Sequence, residues 1–162
     1  MQKERLHMLQ NMPIFGGIRE DILEFILKDA PIISVPKGEF FFRENDTGTS
    51  MYVLEKGKVL IMKSWKGHDY VLAELQKGDC FGEMTLIDLG PRTASVVALE
   101  DCVAIKLTNV NILNIYRKDL EQFTMIQMNM AREVSRRLRH TDDLLFQELV
   151  EANKITRMTE EK

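Results

Sequence analysis

The sequence has few cysteines, few histidines and no long apolar run. Its two cysteines, Cys80 and Cys102, lack CxxC spacing, so we expect two small buried apolar side chains in a reducing compartment. The three histidines, His7, His68 and His140, lie far apart and form no HxH or HxxxH pair. This scatter argues against the histidine cluster of a metal-dependent oxygenase. We therefore expect neither a disulfide nor a metal centre.

The sequence also lacks several signals of membrane, nucleic-acid and enzyme function. No apolar run approaches the roughly 20 residues of a membrane-spanning helix, and the N-terminus, MQKERLHMLQNM, has no apolar signal-peptide core. We therefore expect a cytoplasmic protein. A net charge of −3 argues against a general nucleic-acid binder, which usually carries a basic excess. Neither a P-loop nor a nucleophile elbow occurs, and we expect no enzymatic activity.

Three zones of different periodicity follow one another along the 162 residues. In residues 1–30, apolar side chains at helical spacing around Phe15-Gly16-Gly17 predict two helices with a glycine turn, ending before Pro31. Residues 31–107 instead alternate short β-rich runs with glycine turns, which is typical of a jelly roll or barrel. The predicted strands are Ile32–Val35, Glu39–Phe42, Ser50–Leu54, Lys58–Lys63, Tyr70–Leu75, Thr93–Ala98 and Val103–Leu107.

The third zone, residues 108–153, returns to helical spacing. Thr108 or Asn109 can cap a short helix through Tyr116, and a long helix is predicted from about Lys118. Its apolar spacing continues beyond the length of an ordinary globular helix, so we expect a bend or a protruding segment. The polar tail, residues 154–162, is expected to be frayed.

The segment from Phe81 to Val96, FGEMTLIDLGPRTASV, carries the chemistry. Gly82 precedes a short helical stretch, where a glycine lets a ligand approach unpaired backbone N–H groups. Arg92 adds a permanently charged guanidinium group, whose N–H donors suit phosphate oxygens. Glu83 would repel an anion unless it faces another group, and a sugar hydroxyl fits that requirement. Phosphate and sugar hydroxyl on one small ligand indicate a nucleotide.

This segment resembles the phosphate-binding cassette of the cyclic nucleotide-binding domain family, FGE-[LI]-x-L followed by PR-[AST]-A-[TS]-[VI]. Kinase regulatory subunits, cyclic-nucleotide-gated channels and bacterial catabolite activators belong to that family. Residues 51–59, MYVLEKGKV, are similar to its YxIxxGxV hairpin, and the resemblance covers about residues 15–140. It implies an α+β fold: an eight-stranded antiparallel β-roll (jelly roll) with N-terminal helices, a short cassette helix and a long C-terminal helix.

The resemblance also implies roles for individual residues. Glu83 would accept from the ribose 2′-hydroxyl, and Arg92 would pair with a phosphate oxygen. The backbone N–H groups of Met84 and Thr85 would help to hold the cyclic phosphate. Thr93 would touch phosphate or guanine through its hydroxyl. Met84 replaces the usual Leu or Ile and Thr85 the usual Ala, and neither change removes a required group.

Two further predictions concern the nucleotide base. The strand that contains Tyr70, Val71 and Leu72 is where the family packs apolar side chains against the base, although these residues are equally well explained as core. Arg132 or Arg136 on the long helix would cover the base by stacking or cation–π contact. The alternative is that these arginines belong to a solvated helical face.

Two functions remain open at this point. The first is a stand-alone regulatory domain that binds cyclic AMP, or alternatively cyclic GMP, and signals through its C-terminal helix to an unidentified protein effector. The second is an interaction module that keeps the fold but has lost nucleotide binding.

We expect no DNA-binding domain, because too little chain follows the long helix. Near-heptad spacing on that helix predicts a homodimer seam, with a monomer as the alternative. The spaced residues are Val134, Leu138, Thr141, Leu145, Leu149 and Ala152.

Overall fold

The computed structural model describes the backbone of residues 2–160 and the side chains of residues 3–153. The chain divides into one compact unit that ends at Met130 and a second that begins at Ala131. The domain limits predicted at residues 30, 107 and 153 stay predictions. The predicted frayed tail, residues 154–162, lies outside the residues whose side chains are described.

The N-terminal segment forms the two predicted helices with a turn between them. Helix α1 spans Gln2–Gln10, a 3₁₀ turn spans Pro13–Phe15, and helix α2 spans Glu20–Asp29. The apolar stripe of α2 is buried. This helix ends where the next residue, Ala30, is extended, as expected for a residue before a proline.

Eight antiparallel strands form two four-stranded sheets, which confirms the predicted roll. The strands are β1 Ile32–Val35, β2 Phe40–Phe42, β3 Ser50–Lys56, β4 Lys58–Trp65, β5 His68–Gln76, β6 Cys80–Phe81, β7 Ser95–Ala98 and β8 Cys102–Thr108. The first sheet has the order β1-β8-β3-β6 and the second the order β2-β7-β4-β5. Each of the seven predicted runs overlaps one strand. The strand that was not predicted, β6, is too short to show a periodicity.

Strand β3 separates two apolar clusters because successive side chains of a strand point to opposite faces. Met51 and Val53 pack with the N-terminal helices and the first part of the C-terminal helices. Tyr52 and Leu54 pack between the two sheets. The run SMYVL is therefore buried on both faces. Both cysteines are buried thiols outside any disulfide, as predicted.

Three more helices complete the fold: α3 Met84–Asp88, α4 Asn109–Lys118 and α5 Leu120–Glu160. Thr108 caps α4 as predicted, in a reciprocal pair with Asn111. Helix α5 is held to the N-terminal turn by Asn129, whose Nδ2 donates to the carbonyl oxygens of Ile14 and Gly16 over 3.1 and 2.9 Å. None of the helices described here is long and apolar enough to cross a membrane.

Candidate functional site

The backbone of Arg92 is fixed by the loop between β2 and β3. Arg92 N donates to the carbonyl of Asp46 over 2.9 Å, and the carbonyl of Arg92 accepts from Asn45 N over 2.8 Å. The loop itself is tightened by Arg43 N, which donates to the Asp46 carboxylate over 2.8 Å. Backbone hydrogen bonds thus hold Arg92 to the β2–β3 loop, three residues before β7 begins at Ser95. The side chain of Arg92 enters the space between that loop and α3.

The guanidinium of Arg92 is bonded to neutral acceptors. Its Nη1 donates to the carbonyl of Gly82 over 3.0 Å and to Thr85 Oγ1 over 2.9 Å. Its Nη2 donates to Ser50 Oγ over 3.4 Å. The buried Nε has no hydrogen-bond partner among the described residues. The structure therefore brings together three predicted site residues, Gly82, Thr85 and Arg92.

Two glycines make room for this guanidinium. A Cβ atom at Gly82 would lie 2.6 Å from Nη1 of Arg92, 3.2 Å from the carbonyl of Ser50 and 3.3 Å from Cε1 of Phe42. Gly82 also has a φ of +79°, which side chains rarely adopt. A Cβ atom at Gly48 would lie 2.7 Å from Nη2 of Arg92. Close approach of a ligand to the backbone at Gly82 stays a prediction; in the structure the group that lies close to Gly82 is the Arg92 guanidinium.

Aromatic rings form one wall around the charge. The Cζ atom of Arg92 lies 3.9 Å from the ring centroid of Phe42 and 5.9 Å from that of Tyr52. Tyr52 stacks in turn on Phe81, with ring centroids 5.4 Å apart. A cation over an aromatic face is stabilised by the ring quadrupole, more so where water is excluded. These rings hold the guanidinium without supplying a counter-charge.

Arg92 is only 4% exposed, which makes its charge unfavourable in the absence of a partner anion. Burial lowers the pKa of Arg92 below its usual value, and the charges of Tyr52, Asp46 and Glu83 partly oppose that shift. An arginine nevertheless keeps its proton at neutral pH. A buried cation with an unpartnered N–H is suited to bind an anion.

The remaining predicted residues of the cassette, Glu83, Met84 and Thr93, differ in their exposure. The Glu83 side chain is 2% exposed and lies directly before α3, in helical conformation. Met84 and Thr93 are exposed, and the Thr93 hydroxyl donates to Met84 Sδ over 3.7 Å. A thioether is a weak acceptor, so this contact leaves the hydroxyl available to a better partner.

Val71 lies on β5, one of the two edge strands of the second sheet. It pairs with Met62 of β4, which pairs on its other side with Ser95 of β7. Since neighbouring strands are about 4.8 Å apart, Val71 lies roughly 10 Å from Ser95, near the cassette. Val71 is 58% exposed, and Tyr70 and Leu72 are similarly exposed. A contact of Val71 with the base stays a prediction.

Arg132 is an exposed residue of α5 in the second unit. Its predicted position over the base stays a prediction. The neighbouring arginines of this unit pair within their own helix: Arg136 and Arg137 both form ion pairs with Glu133. Such i,i+3 and i,i+4 pairs are typical of a solvated helical face.

We call the residues that contact the Arg92 guanidinium the arginine seat. Four of them were not identified from the sequence: Gly48, Ser50, Phe42 and Tyr52. They come from β2, β3 and the loop between these strands, about forty to fifty residues before Arg92 in the chain. Phe42 and Ser50 fall in predicted strands and Tyr52 falls in the hairpin that resembles the family's, but none of these signals assigned them a role at the site. Among the described residues, no group of three or more His, Cys, Asp or Glu side chains could hold a metal ion.

Comparison with known proteins places this site in a family. The model of the cyclic nucleotide-binding domain family matches residues 32–119, more than half of the chain. The Cyclic AMP receptor protein of Thermus thermophilus is 32% identical over 135 residues, which cover 83% of this chain and 61% of that protein. The cGMP-dependent protein kinase 2 of Mus musculus is 34% identical over 104 residues, 63% of this chain and 14% of the kinase.

The fold is also similar to that of solved structures. A cyclic nucleotide-binding domain from Methylobacillus flagellatus superposes with a TM-score of 0.80 at 19% identity, covering 91% of this chain and 83% of that one. The chain spans less than two thirds of the length of both relatives named above. The family match includes the arginine seat and the whole cassette. This chain belongs to the cyclic nucleotide-binding domain family.

Proposed function

We propose that this chain is a regulatory domain that binds cyclic AMP at Arg92 and passes its ligand state through the C-terminal helix to a protein partner. Cyclic GMP is the second candidate ligand. The chain would act as a stand-alone sensor, without catalysing a reaction, and a cytoplasmic location remains our prediction.

The buried guanidinium of Arg92 is the observation that carries this proposal. Its acceptors are neutral, and its Nε is unpartnered among the described residues. A bound phosphate would supply the missing acceptor and would place a negative charge in hydrogen-bond contact with the guanidinium. The cyclic diester carries one such negative charge.

Glu83 supports a nucleotide rather than a free phosphate as the ligand. A buried carboxylate beside an anion site repels the anion, and a hydrogen bond donated by the same ligand to the carboxylate would offset that repulsion. A ribose 2′-hydroxyl next to the cyclic phosphate is such a donor. The phosphate would meet Arg92 and the N–H groups of Met84 and Thr85, and the sugar would meet Glu83.

The relatives favour cyclic AMP without excluding cyclic GMP. The Thermus relative is a cyclic AMP receptor and aligns with 83% of this chain, whereas the mouse kinase is cGMP-dependent and aligns with 63%. The Thr93 hydroxyl would add one contact to guanine. One hydrogen bond at an exposed site contributes about 1 kcal/mol, too little to decide the choice.

Helix α5 supports the proposed relay because it belongs to both units. Ile126 and Met130 of α5 are fully buried in the first unit, and the same helix continues as the second unit. In this proposal, a shift of the first turns of α5 is passed on to residues 131–153. In this proposal Arg132 or Arg136 covers the base, and the second unit meets the partner.

Calorimetric titration of the purified protein tests the binding part. We expect stoichiometric binding of cyclic AMP, weaker or equal binding of cyclic GMP, and much weaker binding of 5′-AMP and inorganic phosphate. If neither cyclic AMP nor cyclic GMP gives a heat of binding or displaces the other, the result would favour the interaction module that has lost nucleotide binding.

Amide hydrogen exchange tests the relay. A ligand shifts a conformational equilibrium only by its different affinity for the two states, so cyclic AMP should slow exchange across residues 118–145 as well as 81–95. Protection confined to residues 81–95 would leave a nucleotide binder without the proposed relay.

A further inference from the structure

The side chain of Thr85 has a position that its backbone role does not explain. Thr85 lies on α3 and is 3% exposed. Its Oγ1 accepts from Nη1 of Arg92 over 2.9 Å and donates to the carbonyl of Gly82 over 3.3 Å. Nη1 also donates to that carbonyl over 3.0 Å. The three groups close a triangle within the cassette.

We propose that the Thr85 hydroxyl is a positioning group that holds the guanidinium of Arg92 in place before the nucleotide binds. The inference rests on the proposed function for its effect on affinity, but the hold on Arg92 exists in the ligand-free protein. An alanine at this position, which the family usually carries, has no hydroxyl and could not do this.

The direction of the hydrogen bonds explains why a hydroxyl is needed. The proton of Thr85 Oγ1 goes to the Gly82 carbonyl, so an oxygen lone pair faces Nη1 of Arg92. A threonine hydroxyl in a helix can bond the carbonyl three or four residues earlier, and the bond to the Gly82 carbonyl keeps the oxygen directed at the arginine. A valine would have nearly the same shape but would place a methyl group against the charge.

Nη1 of Arg92 has two acceptors, the Gly82 carbonyl and Thr85 Oγ1, and only the second belongs to a side chain. Ser50 Oγ is a more distant acceptor, at 3.4 Å from Nη2. Cζ of Arg92 lies over the Phe42 ring, a contact that does not fix the direction of the N–H groups. An arginine side chain has many rotamers, and their loss on binding weakens affinity unless the side chain is ordered beforehand. A guanidinium already held at Nη1 presents its other N–H groups in one orientation.

The experiment compares Thr85→Val, which removes the hydroxyl at constant shape, with Thr85→Ser, which keeps it. In the ligand-free proteins, ¹⁵N relaxation of the Arg92 Nε–H group reports side-chain order. We expect clear loss of order in Thr85→Val and wild-type order in Thr85→Ser. For cyclic AMP, we expect the dissociation constant to rise about tenfold in Thr85→Val and to stay within about twofold in Thr85→Ser.

The two arms separate this inference from the proposed function. Thermal unfolding of each variant shows whether it is folded under the conditions of the measurement, and Thr85→Ser keeps the comparison interpretable if Thr85→Val is destabilised. A wild-type protein that binds neither cyclic nucleotide refutes the proposed function, and the relaxation data then decide the inference alone. Wild-type Arg92 order in Thr85→Val, or reduced order in Thr85→Ser equal to that in Thr85→Val, would overturn it.

Discussion

Gly48 lies against the guanidinium of Arg92 so closely that a side chain at position 48 would overlap it. A Cβ atom there would be 2.5 Å from Cζ and 2.7 Å from Nη2 of Arg92. The two residues are 44 positions apart in the chain, and the loop that contains Gly48 also hydrogen-bonds the Arg92 backbone at Asn45 and Asp46. The absence of a side chain at Gly48 is thus part of the arginine seat.

Gly48→Ala should therefore destabilise the protein through Arg92. Overpacking of a filled interior costs about 1–3 kcal/mol, and Gly48 has no positive φ that would add backbone strain. Urea unfolding should show this loss in the wild-type background and almost none in an Arg92→Ala background, where the space is vacated. Equal losses in both backgrounds would contradict the shared-space account. Gly90→Ala is the control, because its methyl group would meet the Asp88 carboxylate and not Arg92. Its loss of stability should be the same in both backgrounds.

Glu83 should recognise the ribose. Replacing the 2′-hydroxyl of cyclic AMP by hydrogen should weaken binding to the wild-type protein about tenfold, because a charged hydrogen bond is lost. The same ligand change should have little effect on Glu83→Ala, and Glu44→Ala, in the β2–β3 loop, should behave as wild type. Independent, additive losses in this double cycle would show that Glu83 and the 2′-hydroxyl do not meet.

Thr93 should contribute to base selection without determining it. Its hydroxyl donates to the weak sulfur acceptor of Met84, so the oxygen lone pairs can accept a hydrogen bond from the exocyclic amine of a guanine. We expect the wild type to bind cyclic AMP at least as tightly as cyclic GMP, and Thr93→Ala to weaken cyclic GMP more than cyclic AMP in competition titrations. A wild-type preference for cyclic GMP above about tenfold that collapses in Thr93→Ala would reverse our assignment of the ligand.

The second unit should form a homodimer seam. Leu138, Leu145 and Leu149 are exposed and lie at near-heptad spacing, the pattern of a two-stranded coiled coil. Sedimentation equilibrium should show a concentration-dependent dimer that the double variant Leu145→Lys, Leu149→Lys dissociates. Phe146 is more exposed than these leucines but does not share their near-heptad spacing. The control variant Phe146→Lys should therefore still dimerise. A monomer at all concentrations would refute the seam.

The sequence predicted the parts of the site that are local in the chain. Gly82, Glu83 and Arg92 fall within eleven consecutive residues, and the period change at residue 31 located the roll around them. Ser50 and Phe42 were missed because only strand pairing brings them close: Phe42 pairs with Val96, four residues after Arg92. The bond between Thr85 and Arg92 depends on side-chain rotamers, which a motif does not specify.

Isothermal calorimetry of cyclic AMP binding to Arg92→Ala, beside wild type and Arg43→Ala, tests the central claim most directly. Arg43 also stacks on a phenylalanine of β2, with Cζ 3.7 Å from the Phe40 ring centroid, but it is exposed. We predict that Arg92→Ala raises the dissociation constant about ten- to hundredfold or more, because a charged hydrogen bond to phosphate is lost. Arg43→Ala should leave it unchanged. An Arg92→Ala protein that binds cyclic AMP with the wild-type dissociation constant would contradict the account.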